Sequence, residues 1–226
     1  THEWNDTLAQ KVREEETQVD RYEDALGTYL VKLSSRELNH TDSQSVNTLL
    51  HTINDLERIS DHSVNLLKAG QEIQEKSIHF SHEAIDDLSV LEAAVQDIVN
   101  RTVDAFQKND CYAAGKIEPL EQVVDGLVRE VKTRHIARLQ AGACTIEYGF
   151  VLDDLLTNYE RIADHCSNIA VAMIEVSEDR FDTHEYLNHI KNGESPSFEK
   201  RYERYRGRYT FEPGPSGTAA APEQKK

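Results

Sequence analysis

A nine-residue segment of this chain is written twice. Glu57-Arg58-Ile59-Ser60-Asp61-His62-Ser63-Val64-Asn65 returns as Glu160-Arg161-Ile162-Ala163-Asp164-His165-Cys166-Ser167-Asn168, identical at Glu, Arg, Ile, Asp, His and Asn and displaced by 103 residues. Upstream, Glu16-Thr17-Gln18-Val19-Asp20 returns as Glu121-Gln122-Val123-Val124-Asp125, displaced by 105. Displacements that differ by only two residues of loop mean one structural unit used twice, so the fold must be assembled from two similar halves.

The unit reads as helical. Apolar residues recur at helical spacing in five long segments: about Asp6 to Leu38, Thr41 to Glu75, Ser81 to Lys108, Tyr112 to Gln140, and a fifth carrying Leu152, Leu155, Ile162, Ile169 and Met173 to about Ser177. Thr41-Asp42-Ser43-Gln44 reads as a capping box and Ser81 as an N-cap. Asn109-Asp110 breaks the third segment, and Gly142 closes the fourth. Long helices joined by short turns pack antiparallel, which makes the chain an all-α bundle. The second copy begins with a whole helix, Ser81 to Lys108, ahead of its Glu121 helix, whereas only about 15 residues precede Glu16. The first bundle therefore lacks its first helix. The expected division is residues 1–78 for the first repeat, 79–180 for the second, 181–211 for a C-terminal extension and 212–226 for a Pro, Gly, Ala and Ser rich tail expected to be disordered.

Charge and composition narrow the function classes. A net charge of −16 repels nucleic acid over most of the surface. The longest uncharged apolar run, Ile169 to Ile174, is six residues, far short of the ~20 of a membrane helix, so these residues read as a soluble domain. The opening Thr1 and the single methionine, Met173, read as a piece of a longer protein. Cys111, Cys144 and Cys166 are too widely spaced for a zinc or redox motif and read as free thiols.

The repeated residues that carry chemistry are acids. Each half holds two Glu-x-x-x-Asp pairs on consecutive helices: Glu16 with Asp20 and Glu57 with Asp61, then Glu121 with Asp125 and Glu160 with Asp164. Spacing of i and i+4 puts both carboxylates of a pair on one helix face. Counted from a turn near His40, Asp20 lies 20 residues before and Asp61 lies 21 after; counted from Gly142, Glu121 lies 21 before and Asp164 lies 22 after. The pairs of one hairpin thus sit at similar heights on adjacent helices. Val12 and Val19 bracket Glu16, and Ile117 and Val124 bracket Glu121, which places the acids at a packed seam rather than on a solvated face. Carboxylates gathered there repel one another and lose water, a condition relieved by raised pKa values, by Arg58 and Arg161, or by a cation. Oxygen-only ligands favour iron, manganese, magnesium or calcium over zinc or copper(I), with zinc ranking after the hard cations. His62 and His165 point about 100° aside and rank below the acids as ligands. Surface acids paired with arginine are the competing reading.

Leu56-Glu57-Arg58-Ile59-Ser60-Asp61-His62 and Tyr159-Glu160-Arg161-Ile162-Ala163-Asp164-His165, each with its earlier Glu-x-x-x-Asp, resemble the paired motifs of the PhoU family. The resemblance covers residues 6–178. It implies tandem three-helix bundles whose acidic motifs bind multinuclear metal clusters, iron in particular, in a protein of phosphate uptake. Ser60 and Ala163 stand where that family commonly has Gly, and the missing first helix is a larger departure.

The segment from His184-Glu185-Tyr186-Leu187-Asn188 through Phe198, Tyr202, Tyr205 and Tyr209 is similar to the C-terminal end of bacterial Na/Pi cotransporter family proteins. That resemblance implies a non-catalytic regulatory domain at the cytoplasmic face of the membrane. Its partner would be a membrane transporter domain of the same polypeptide upstream of Thr1; a homodimer is compatible with it. The alternative is a stand-alone PhoU-like regulator of a phosphate ABC transporter or sensor kinase. Read on its own physics, the stripe at 198, 202, 205 and 209, flanked by Lys200, Arg201, Arg204, Arg206 and Arg208, is a basic helix expected to dock on an acidic face of the bundle. A di-iron oxidase would want Glu-x-x-His on two helices, and only Glu37-Leu38-Asn39-His40 fits. A metal-free scaffold is the remaining alternative.

Overall fold

The computed structural model describes residues 4–178 and 196–212; the segment 181–195 and the tail 213–226, for which an extension and disorder are expected, lie outside the described residues. Within them the chain forms seven helices and no strand: α1 (Asp6–Ser34), α2 (His40–Glu75), α3 (His82–Lys108), α4 (Cys111–Ala114), α5 (Glu118–Gln140), α6 (Ile146–Glu178) and α7 (Pro196–Arg208). No helix among them is long and apolar enough to cross a membrane.

The caps explain where the helices start and stop. α2 is capped two residues earlier than the expected box. Asn39 accepts from the Asp42 backbone N–H at 2.8 Å and donates its amide back to the Asp42 carboxylate at 2.8 Å, so the reciprocal pair is Asn39 and Asp42 rather than Thr41 and Gln44. α1 stops at Ser34, four residues short of the expected Leu38. Ser81 caps α3 as expected, accepting from Ala84 N–H. Asn109, at φ 49°, takes the left-handed conformation at the C-terminus of α3, and Gly142, at φ +70°, does so after α5. The expected fourth helix is two. Pro119 cannot continue a helix from Ala114, because it offers no N–H and its ring would clash with the preceding turn. It sits instead in the first turn of α5, with a short bend from Gly115 to Ile117 before it.

The second half is a complete bundle. α3, α5 and α6 close on a core in which Leu91, Ile98, Ile117, Leu120, Val124, Val131 and Ile169 are fully enclosed. In the first half, among the described residues, α1 packs mainly on α2, and its faces are allotted differently. Ala9, Gly27 and Leu30 turn toward α2, where an added Cβ on Gly27 would touch Ile53, together with Arg13, which bonds Gln71. The outward stripe is apolar and open: Tyr22 is 67 % exposed and Leu26 46 %. Their repeat counterparts 105 residues on, Leu127 and Val131, are covered, Val131 completely. Among the described residues the same stripe is thus core in one half and surface in the other, since none of their helices stands beside α1 as α3 stands beside α5.

The halves join through α2 against α6, and the repeated histidines meet there. The rings of His62 and His165 stack at 5.6 Å between centroids, 29° from parallel. His62 Nδ1 bonds Asn158 Oδ1 and His165 Nδ1 bonds Asp55 Oδ1, both at 2.8 Å. Asn158 is the repeat counterpart of Asp55, 103 residues on, so the two bonds are one interaction exchanged across an approximate two-fold axis. Asn168 adds a 3.3 Å bond to the same Asp55 oxygen.

α7 docks on α5 through buried Phe198, Tyr205 and Tyr209. The face it covers is not the acidic one expected. Among the described residues, Asp97 is the bundle carboxylate that receives Arg208 and the Tyr209 hydroxyl; Arg201 donates to the Gly115 carbonyl, Arg101 lies over Tyr205 and Arg134 over Phe211. An aromatic helix docks by burying its rings, so it needs no carboxylate lawn beneath it.

Three outcomes follow from this packing. Leu120→Ala should destabilise the chain by about 2–5 kcal/mol in urea titration, whereas Leu26→Ala should change it by less than about 0.5 kcal/mol. His165→Ala should cost more than His62→Ala, by about 1–3 kcal/mol against less than that, since the first leaves the carboxylate of Asp55 with, among the described residues, only the longer Asn168 bond and the second deprives only an amide oxygen. The Cys166 thiol, buried and pushed up to about 12, should resist a thiol reagent at pH 8 until the protein unfolds, while half-buried Cys111 and Cys144 react in the native state.

Candidate metal centre

Two carboxylate trios form at the helix seams. One oxygen from each of Glu16, Asp20 and Asp61 lies within 4.8 Å of the others where α1 meets α2, and Glu121, Asp125 and Asp164 do the same where α5 meets α6. The members are repeat counterparts of one another, Glu16 with Glu121, Asp20 with Asp125 and Asp61 with Asp164. The second trio is deeper: Glu121 is 6 % exposed.

Six of the eight sequence-derived acids are therefore brought together, and Glu57 and Glu160 fall outside both trios. Counting from the turn at Asn39 does not account for Glu57, which lies 18 residues after it and so level with Asp20, 19 before it; how the helices are rotated against each other decides which acids meet. Glu57 still feels the cluster. Burial raises its pKa first, then the neighbouring Asp61 charge, with Asp20 adding to it and Arg58 partly opposing.

Each ionised pair at this separation repels by roughly 3–4 kcal/mol at an effective dielectric of about 20, and by less where water reaches it. The available arginines answer only part of that. Arg161 reaches Asp164 at 3.0 Å and Arg58 reaches Asp61 at 3.7 Å and Glu57 at 3.5 Å, but both guanidinium groups are more than half exposed and, among the described residues, the acids they meet lie on their own helix. Asp20 Oδ1 is buried and accepts no hydrogen bond. A buried carboxylate oxygen without a donor, aimed among two other carboxylates, fits a cation: all six ligand atoms are hard oxygens, the donor set of iron(III), manganese, magnesium or calcium. Such an ion would neutralise the trio and tie two helices together. The histidines next to Asp61 and Asp164 turn to each other and to Asn158 and Asp55 instead, in keeping with the lower rank their helix position implies.

Sequence reasoning passed over Glu118. It is buried on the same α5 stripe, one turn before Glu121, and accepts from the Ser167 hydroxyl and from Gln122 at 3.4 Å. Its repeat counterpart is Arg13, so a search for acids shared by both halves misses it. The spacing of three and seven residues to Glu121 and Asp125 is the signal that finds it.

The sequence matches the PhoU domain over residues 2–69 and 88–173, one segment in each half. It is 25 % identical over 191 residues to the phosphate-specific transport system accessory protein PhoU homolog 1 of Thermotoga maritima, covering 84 % of this chain and 81 % of that protein. It is 24 % identical over 168 residues to the corresponding homolog of Pseudomonas aeruginosa, covering 74 % and 69 %. The crystal structure of PhoU from Pseudomonas aeruginosa superposes with a TM-score of 0.71 at 23 % identity, over 77 % of this chain and 83 % of that one. These relatives overturn the cotransporter reading of the tail: they are named as accessory proteins of a phosphate-specific transport system, and none as part of a Na/Pi cotransporter. The aromatic stripe from Phe198 to Tyr209 that suggested a cotransporter serves here to dock α7 on the second bundle, and the membrane transporter domain upstream of Thr1 falls with that reading as the partner. With more than half of its residues matched, in both repeats, and the helical arrangement shared, the chain belongs to the PhoU domain family.

Proposed function

We propose that this protein is a metal-binding accessory regulator of phosphate transport, acting on a phosphate ABC transporter or its sensor kinase rather than catalysing a reaction. The observation that carries it is the pair of equivalent carboxylate trios, Glu16, Asp20 and Asp61 with Glu121, Asp125 and Asp164. The names of the relatives supply the setting, phosphate-specific transport. Glu57 and Glu160 are placed in the proposal as neighbours that enlarge the sites toward multinuclear binding. The metals are hard cations, iron foremost. Their chemistry is charge neutralisation and cross-linking of helices, and the protein's own residues do the rest: the acids hold the seam, and the His62–His165 contact ties one half to the other. Such a regulator works on the cytoplasmic side, where the transporter's energy-coupling parts and kinase domains lie.

Protein purified without chelator should carry iron or another hard metal by elemental analysis. Asp61→Ala with Asp164→Ala should weaken its binding by at least the ~10–100-fold that loss of an outer-sphere partner costs. Stripping the metal should lower the melting temperature, since ligand at 100 times its Kd contributes about 2.7 kcal/mol. A metal-free preparation whose double variant is more stable than the parent would end the metal reading. Co-purification with the phosphate ABC transporter or sensor kinase of its host tests the regulatory half, and its absence at native expression would count against that half alone.

A further inference from the structure

Away from the acid trios, α7 closes over the α3–α4 end of the second bundle and leaves a pocket of about 360 Å³. Its walls are basic. Arg101 comes from α3, Lys116 from the bend before α5, and Arg201, Arg204 and Arg208 from α7, with Tyr112 and Tyr205 between them. In a chain of net charge −16, five cations around one small space need a cause.

The protein's own acids do not supply it. Asp97 is shared by Arg101, at 3.0 Å, and Arg208, at 3.4 Å. Arg201 donates to the Gly115 carbonyl at 2.7 Å. Lys116 lies 3.9 Å from the Tyr112 ring centroid, and among the described residues neither it nor Arg204 meets a carboxylate. Five cations against one carboxylate leave four formal positive charges facing a common space. Cation–π contacts soften this, with Arg101 5.4 Å over Tyr205 and Arg201 5.5 Å over Tyr112, yet they remove no charge. Tyr112 is 70 % exposed, so the pocket is open to a ligand from solution.

We propose that this pocket binds a small anion bearing two or more linked phosphate groups. Guanidinium forks match phosphate oxygens in paired hydrogen bonds, and the lysine adds a point charge. One phosphate monoester carries about −1.5 to −2, which leaves half of the pocket's charge unanswered; a diphosphate or triphosphate answers it. The volume lies at the lower end of the ~300–1,000 Å³ typical of small-molecule sites. The site is separate in residues and in charge from the carboxylate trios, so it stands whether or not those bind metal. An inorganic condensed phosphate, a nucleotide and a phosphoinositide headgroup share this chemistry.

The test is titration calorimetry on the full chain with tripolyphosphate, ATP, orthophosphate and sulfate at matched ionic strength, and flotation with vesicles containing a polyphosphoinositide. Tripolyphosphate or ATP, or the vesicles if the source is lipid, should bind at least tenfold more tightly than orthophosphate or sulfate. Lys116→Gln with Arg204→Gln should weaken that binding at least tenfold, leaving circular dichroism and metal content unchanged. No binding by the parent, equal binding of sulfate, or binding indifferent to the double substitution overturns the proposal. So does binding lost in Asp61→Ala with Asp164→Ala but kept in Lys116→Gln with Arg204→Gln, which would assign the phosphate compound to metal at the trios.

Discussion

Three carboxylate oxygens held within 4.8 Å of one another impose a cost that the rest of each helical hairpin is arranged around. A helix has one circumference to divide. On α1, the face toward α2 is given to Glu16 and Asp20, with Arg13, small Ala9 and Gly27, and only Leu30 as a large enclosed apolar side chain. Tyr22, Leu26, Tyr29 and Val31 turn outward. The seam of that hairpin therefore gains little hydrophobic stabilisation of its own, while α2 joins it to the second half by lying along α6.

The second half meets the same constraint with more material. α5 carries the equivalent acids, yet Ile117, Leu120, Val124 and Val131 on its other face are enclosed against α3 and α6, and that burial offsets the crowding. The deeper position of Glu121 is a product of this. Two nearly equivalent charge clusters thus sit in unequal surroundings, and an ion bound at each would contribute to stability differently: as a clamp on a weak seam in the first half, as relief of buried repulsion in the second.

The region around α7 inverts the electrostatics. Acid is concentrated at the seams and base at the α3–α4 end, where arginines stack on tyrosines and share Asp97. A protein of strongly negative net charge that gathers five of its 25 lysines and arginines around one pocket sets a positive region apart from its acidic seams. The basic residues of α7 were legible as a group, since 198, 202, 205 and 209 set the buried stripe and the arginines flank it. Their opposite numbers, Arg101 and Lys116, were not, because nothing local links them to a helix nearly a hundred residues later.

Spacing along a helix is local, so the sequence by itself determined that each Glu-x-x-x-Asp pair shares a face, that the unit occurs twice, where Ser81, Asn109 and Gly142 punctuate the chain, and that antiparallel pairing brings Asp20 level with Asp61. It could not fix how each helix is rotated about its axis against its neighbour. That rotation is set by the sum of many packing contacts between residues far apart in the chain. Tertiary structure alone decided that Asp61 and not Glu57 completes the first trio, that His62 and His165 turn from the acids to stack on each other, and that one apolar stripe becomes core while its twin stays on the surface.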